Sequence, residues 1–198
     1  KTLTGIYQPD GGQILLDGRP LPFATPQDAA DAGVTAIHQE TVLFDELTVA
    51  ENVFIGHAPK SRFGLIDTRA MHDRTGDILA SIGAQIDPGV KLKDLGIASR
   101  HLVAIARALS VEARVVIMDE PTAALGPMET KMVSELIEQL KSEGIGIFLI
   151  SHDIHDVMHL CDRASVMKNG QLVGTVDVND VTDDDLLSMI ILGKHPHG

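Results

Sequence analysis

The chain has 198 residues, 44% of them hydrophobic, and a formal net charge of −12 at pH 7. That is enough for one substantial domain, or a core with an attached subdomain, and it excludes a disordered tail. The acidic balance argues against a general grip on nucleic acid, which draws on clustered Lys and Arg, and no apolar run approaches the roughly 18 residues needed to span a bilayer.

The opening, KTLTGIYQPDGG, has neither an initiator Met nor the apolar stretch of a signal peptide. It begins mid-pattern, so an upstream portion is expected. Residues 8 to 22 predict a strand at Ile14 to Leu16, between breaks at Pro9-Asp10-Gly11 and Asp17-Gly18. Gly33 to His38 predicts a short buried strand ending at Gln39-Glu40. From about Asp45 to Leu109 the pattern is mixed and more helical. It starts with LTVAENVFIGH, where Thr48 and Glu51 suggest a helix entered through a capping box, and Ala58 to Leu65 is loop-like.

Leu102, Val103, Ile105, Ala106 and Leu109 then fall on helical spacing, and Val115 to Met118 predicts a strand. A helix follows, with Pro127 near its start, an apolar face of Met132, Val133, Leu136, Ile137 and Leu140, and Gly144 at its end. Ile145 to Ile150 predicts the next strand, of a length suited to a core, running into Ser151-His152. Strand, helix and strand with short links make a βαβ unit, hence a parallel sheet covered by helices. Asn169-Gly170 between alternating apolar residues signals a hairpin. Val181 to Leu192 predicts a last helix capped by Thr182, and Asp183 to Asp185 need no function beyond favouring its N-terminus. The lone Cys161 cannot form an internal disulfide, which fits a reducing compartment. The fold class is therefore α/β: one domain over residues 1–198, with a helical insert near 45–110.

In open α/β sheets, ligands bind beyond the carboxyl ends of the parallel strands. Three polar clusters fall there: Gln39-Glu40, Asp119-Glu120 and Ser151-His152. An acid after an apolar strand can hold Mg²⁺ through water, and a second acid beside it can deprotonate an attacking water. A Gln can complete the shell, and a His can touch a transferring phosphoryl group. Taken singly, each feature has a plainer explanation: a strand reaching solvent, or a hydrogen-bonded structural histidine. The ordered combination is what points to phosphoryl transfer.

That combination resembles the ATP-binding subunits of ABC transporters, most closely the sugar-importer branch, over nearly the whole chain. Ile37-His38-Gln39-Glu40 with LFDELTVAENVFIGH resembles the glutamine loop and the segment after it. LGIASRHLVAIARAL (Leu95 to Leu109) is similar to the signature motif and its helix. VVIMDEPTAAL resembles the Walker B motif running into the D-loop, and ISHD (Ile150 to Asp153) the switch-histidine motif. The Asn169-Gly170 hairpin and the tail LLSMIILGK are also similar to that branch.

The resemblance implies a P-loop-NTPase-like ABC nucleotide-binding domain, with a parallel core sheet, a helical subdomain and a small antiparallel β portion. It implies ATP and Mg²⁺ as ligands, with Gln39 and Asp119 on the metal, Glu120 as general base and His152 at the γ-phosphate. Leu95, Gly96, Ile97, Ala98 and Ser99 would reach across a dimer interface to ATP held by a second nucleotide-binding domain, in a homodimer or a tandem half. The other implied partners are transmembrane permease subunits and, indirectly, a periplasmic sugar-binding protein, with no nucleic acid. The implied location is peripheral, on the cytoplasmic side of the inner membrane.

The sequence departs from the family pattern in several places. No G-x-x-x-x-G-K-[ST] loop occurs, and Lys1 falls a few residues too late to be its lysine. The chain as written is expected to bind ATP poorly and hydrolyse it hardly at all. Gly96 stands where the signature usually has Ser, Ser99 where Gln or Glu is common, and Gly126 where the D-loop more often has Ser, Thr or Asp. A catalytically inactive interaction module, or the degenerate half of a tandem ATPase, is therefore the alternative, and a soluble ABC-type ATPase without a transporter is a third. His155 and His159, one helical turn apart, could bind Zn²⁺, but they do not form H-E-x-x-H and lack an evident third ligand. His195 and His197 fall in an expected terminal loop.

Overall fold

The computed structural model describes residues 2–21, 25–37, 43–111, 113–123 and 125–193. They divide into two compact units, Lys1–Phe148 and Leu149–Gly198.

The first unit opens with a hairpin of β1 (Leu15–Leu16) and β2 (Arg19–Pro20), with Leu15 opposite Pro20 and Leu16 opposite Arg19. Asp17 and Gly18 turn it with φ of 52° and 73°. Both central residues are left-handed, as a tight two-residue turn requires. The central sheet is parallel, in the order β3-β4-β5. In it, β3 (Val34–Ile37) runs in register with β4 (Val115–Asp119), from Val34 opposite Val115 to Ile37 opposite Met118. The third strand is β5 (Gly146–Ile150). The link from β4 to β5 is α5 (Pro127–Ser142). It buries Val133, Leu136, Ile137 and Leu140, at i, i+3, i+4 and i+7. Each such side chain contributes about 1.5–3 kcal/mol relative to exposure. Gly144, at φ 80°, ends the helix as its sequence position predicts.

The insert is built from α2 (Val49–Val53), α3 (Thr68–Ser81) and α4 (Ile97–Leu109), mutually packed, with α4 also on β3. Thr48 and Glu51 form the predicted capping box of α2. The segment before α2 is laced to residues 88–93 by backbone bonds: Val49 N–H to the Val90 carbonyl (2.9 Å), Leu92 N–H to Leu47 (3.0 Å) and Lys93 N–H to Asp45 (3.1 Å). Residues 58–65 contain no helix or strand, as expected.

Two helices escaped the sequence reading. One is α1 (Pro26–Asp31), entered through a Thr25–Asp28 capping box with Pro at its first turn. The other is α3, capped by Asp67, whose side chain accepts from the Ala70 N–H. Both carried their signal in the cap, but α1 is too short to show a full apolar period, and α3 buries only Met71, Thr75 and Leu79.

Two apolar runs of core length are less buried than their composition suggests. In β5, Phe148 and Ile150 are 56% and 52% exposed while Ile147 and Leu149 are half-buried, because alternation along the strand turns one face to solvent. In Met189–Leu192 only Met189 is buried, since helical geometry turns Ile190, Ile191 and Leu192 away from the core.

The second unit has its own core of Ala164, Val166, Val176, Val178, Val181, Leu186 and Met189. It contains α6 (Ile154–Leu160), the hairpin β6 (Arg163–Lys168) and β7 (Gln171–Asp177), and α7 (Asp183–Leu192). Asn169 and Gly170 turn the hairpin with φ of 50° and 77°. Thr182 and Asp185 form the capping box of α7, and Gly193 ends it in the left-handed region.

Candidate functional site

At the carboxyl end of β4, Val116, Ile117 and Met118 are buried while Asp119 and Glu120 are half-buried. The strand therefore delivers two carboxylates to its rim. Glu120 has φ 54°, the left-handed region that a side chain with Cβ rarely adopts. Holding it there costs about 1–3 kcal/mol and requires neighbours that over-determine the backbone. Two are local: Pro121, which is buried and fixed in φ, and the Ala123 N–H, which donates to the Glu120 carbonyl at 3.1 Å.

From α4 comes His101, on whose pKa the Pro121 backbone acts against burial. The ring Nε2 is buried without a hydrogen-bond partner. Burial pushes the His101 pKa down, against the opposing pull of the Pro121 carbonyl, and so favours the neutral ring. Sequence reasoning passed over His101. Its one signal was a titratable residue inside an otherwise apolar helical run, and nothing there pointed to Pro121.

The start of α4 is open. Gly96 occupies the cap position with φ −68° and offers no side chain, and the first turn holds no acid. The backbone N–H groups of that turn, with the helix dipole behind them, suit an anion. Leu95, Ala98 and Ser99 are half-buried, Gly96 is exposed, and Ile97 is 81% exposed. Arg100 holds this entry in place. Its guanidinium donates to the Leu95 carbonyl at 3.0 Å and the Lys93 carbonyl at 3.2 Å, and pairs with Asp45 at 2.8 Å.

Asn52 plays a similar part for the segment that follows the Gln39 region. It is fully buried; its Oδ1 accepts from the Phe44 N–H (2.8 Å), and its amide donates to the carbonyls of Phe44 (3.0 Å) and Thr48 (2.9 Å). Neither Arg100 nor Asn52 stood out from the sequence, because polar residues in helices are ordinarily solvent-facing.

Gln39 lies outside the described residues. His152 is exposed and belongs to the Leu149–Gly198 unit, in the turn that leads from β5 into α6. There the Asp153 N–H donates to Ser151 Oγ at 3.0 Å, and Asp153 caps α6. Thus Asp119 and Glu120 share one turn of the first unit, which also carries the Leu95–Ser99 helix start. The His155 and His159 rings lie with centroids 4.0 Å apart and planes tilted by 44°, and His159 Nδ1 bonds the His155 carbonyl at 2.9 Å. Among the described residues no three or more of His, Cys, Asp and Glu gather as a metal-ligand cluster. Nor, among them, is any helix long and apolar enough to cross a membrane.

Residues 1–123 match the family model described as ABC transporter. The ribose import ATP-binding protein RbsA of Roseobacter denitrificans is 56% identical over 191 residues, which cover 96% of this chain and 37% of that protein. RbsA 1 of Streptomyces coelicolor is 40% identical over 96% of the chain and 38% of its own length. The chain thus spans a little over a third of these curated relatives. Among solved structures, cbiO1 of Clostridium perfringens, part of the ABC transporter complex cbiONQ, aligns with a TM-score of 0.75 at 26% identity, over 99% of this chain and 78% of that one. The ADP conformation of MJ1267, an ATP-binding cassette, aligns at 0.77 over 96% of the chain and 77% of its own; at 22% identity that likeness speaks to the fold alone.

Proposed function

This chain belongs to the ABC transporter family, and we propose that it is the ATP-binding and ATP-hydrolysing motor segment of a sugar importer, peripheral on the cytoplasmic face of the inner membrane. Residues 1–198 form one nucleotide-binding domain in this reading, with the helical insert near 45–110. The observation that carries it is the rim of β4. Two half-buried carboxylates end a buried parallel strand, and the second is held in a strained backbone.

The two acids divide the work. Asp119 is a single carboxylate at a strand end, a donor set that fits Mg²⁺, which takes one or two carboxylates and fills the rest of its shell with water and phosphate oxygens. When bound, Mg²⁺ neutralises charge on the phosphates. Gln39 would join Asp119 in that shell. Glu120 accepts a proton from the attacking water, as a carboxylate beside the phosphoryl group can. His152 contacts the γ-phosphate. The uncapped start of α4, Leu95 to Ser99, presents N–H groups to ATP held by a second nucleotide-binding domain. Closure of that pair on ATP is relayed to transmembrane permease subunits, which receive sugar from a periplasmic binding protein. Ribose, named for the relatives, is the first sugar to test.

The test is Glu120→Gln in the full-length protein with its permease. Hydrolysis should fall about a thousand-fold, the scale of losing a general base together with its positioning, while ATP stays bound and accumulates unhydrolysed. Hydrolysis at the unsubstituted rate removes Glu120 as the base. A second reading, a non-hydrolysing half paired with a competent one, is favoured by Gly96, which leaves α4 without a capping hydroxyl. Under it, Glu120→Gln would leave turnover unchanged and substitutions in Leu95–Ser99 would lower it.

A further inference from the structure

We propose that the loop of residues 58–66 is a membrane-contact site, which sets three apolar side chains into the headgroup region of an anionic lipid surface with two basic residues beside them. Phe63, Leu65 and Ile66 are 81%, 71% and 62% exposed. Large apolar side chains scattered singly over a surface need no explanation, but three within four consecutive positions form a patch. The loop is held by its own backbone. The Ser61 N–H donates to the Leu65 carbonyl at 2.7 Å, the Gly64 N–H to Ser61 at 2.9 Å and the Asp67 N–H to Pro59 at 2.8 Å, while Lys60 pairs with Ile66 in a single antiparallel bridge. Gly64, at φ 78°, turns the tip. Such a turn keeps its shape with polar side chains at 63, 65 and 66; here it presents apolar ones to water.

Charge identifies the partner. From Asn52 to Ile66 the chain has no Asp or Glu, although it holds 28 of them in all. Lys60 and Arg62 lie in that gap, are exposed, and form no ion pair among the described residues. The Arg62 guanidinium stands over the Phe63 ring, 5.9 Å from its centroid, so charge and apolar surface share one part of the loop. An anionic lipid surface matches this set, with negative headgroups for the two cations and an acyl boundary for the three apolar side chains. Another exposed apolar set, Leu187, Ile190, Ile191 and Leu192 on α7, shares its helix with Asp183, Asp184 and Asp185, which such a surface repels. The contact goes beyond the peripheral location proposed above, which a permease alone would supply. It needs neither nucleotide nor Glu120.

The full-length protein, without its permease, is sedimented with vesicles of phosphatidylglycerol and phosphatidylethanolamine, and separately with vesicles of phosphatidylcholine alone. Binding is expected to the anionic vesicles, weakening as salt rises, and far less to the neutral ones. The double variant Lys60→Ala, Arg62→Ala should lower affinity for the anionic vesicles about thirty-fold, from about five-fold for each basic residue at such a surface. Phe63→Ser should lower it about ten-fold through lost apolar contact. Phe63→Trp should keep it, since an indole suits the headgroup level, and its emission should be quenched by brominated lipid. The substituted side chains face solvent, so Tm should not move. No preference for anionic vesicles overturns the proposal, as do variants that bind them like the parent. If the protein ignores bare vesicles while Phe63→Ser and the double variant lose the permease on co-purification, the loop belongs to the permease and the lipid contact falls. Should a variant lose Tm together with binding, Phe63→Trp decides: an indole that brominated lipid leaves unquenched overturns the contact.

Discussion

The segment around Asn52 and the turn after β4 handle polar groups in opposite ways. Around Asn52, a fully buried amide meets the Phe44 and Thr48 backbone on every side, Thr48 and Glu51 cap each other, and Arg100 forks onto two carbonyls and Asp45. Glu46 lies between Lys93 and Lys91, whose hydrogen bonds hold its carboxyl below the usual range. After β4, by contrast, Glu120 is held in a left-handed backbone and His101 keeps a buried, unpartnered nitrogen. The first region spends its hydrogen bonds on holding shape. The second tolerates a left-handed Glu120 backbone and a buried, unpartnered ring nitrogen, the pattern expected where side-chain direction matters more than stability.

Three substitutions sharpen that contrast. The largest effect on stability belongs to the satisfied region. Asn52→Leu strands the Phe44 N–H and the carbonyls it met, and should lower unfolding stability by about 3 kcal/mol. Urea titration would register this as a lower midpoint at unchanged slope, and a loss below about 1 kcal/mol would mean the clamp is incidental. The strained region should respond with the opposite sign. Glu120→Gly removes the Cβ from a left-handed site and should raise stability by about 1 kcal/mol while abolishing hydrolysis. A destabilised Glu120→Gly would show that the turn carries no stored strain. The smallest effect is at the open start of α4. A Cβ at Gly96 would meet nothing within 4 Å, and φ −68° with ψ 166° suits a capping residue. Gly96→Ser should therefore add a few tenths of a kcal/mol, read as a small rise in the same urea midpoint. A fall would mean that the hydroxyl finds no N–H to accept from.

Much of the fold was legible in the chain because its signals are local. The Thr48–Glu51 box, the Thr182 cap, the Asn169-Gly170 turn and the Pro127-to-Gly144 helix each depend on residues within a few positions of one another, where backbone geometry alone decides the outcome. The helices α1 and α3 were missed for a related reason: their caps were present, but their apolar faces are short or sparse. The exposure of Phe148 and Ile150 could not be foreseen, since a run of apolar residues does not say which face of its strand will be covered.

For the candidate site, the residue order along the chain picks out the proposed positions: the acids at the end of an apolar strand and the glycine at a helix entry. How they are held depends on packing between distant segments. Arg100 meets Asp45 from 55 residues away. Glu120 keeps its left-handed backbone within a turn closed by the Ala123 N–H. Periodicity and caps are properties of a few consecutive residues, whereas a contact such as that of Arg100 with Asp45 exists only once distant segments are packed side by side, and packing is what fixes which polar atoms meet.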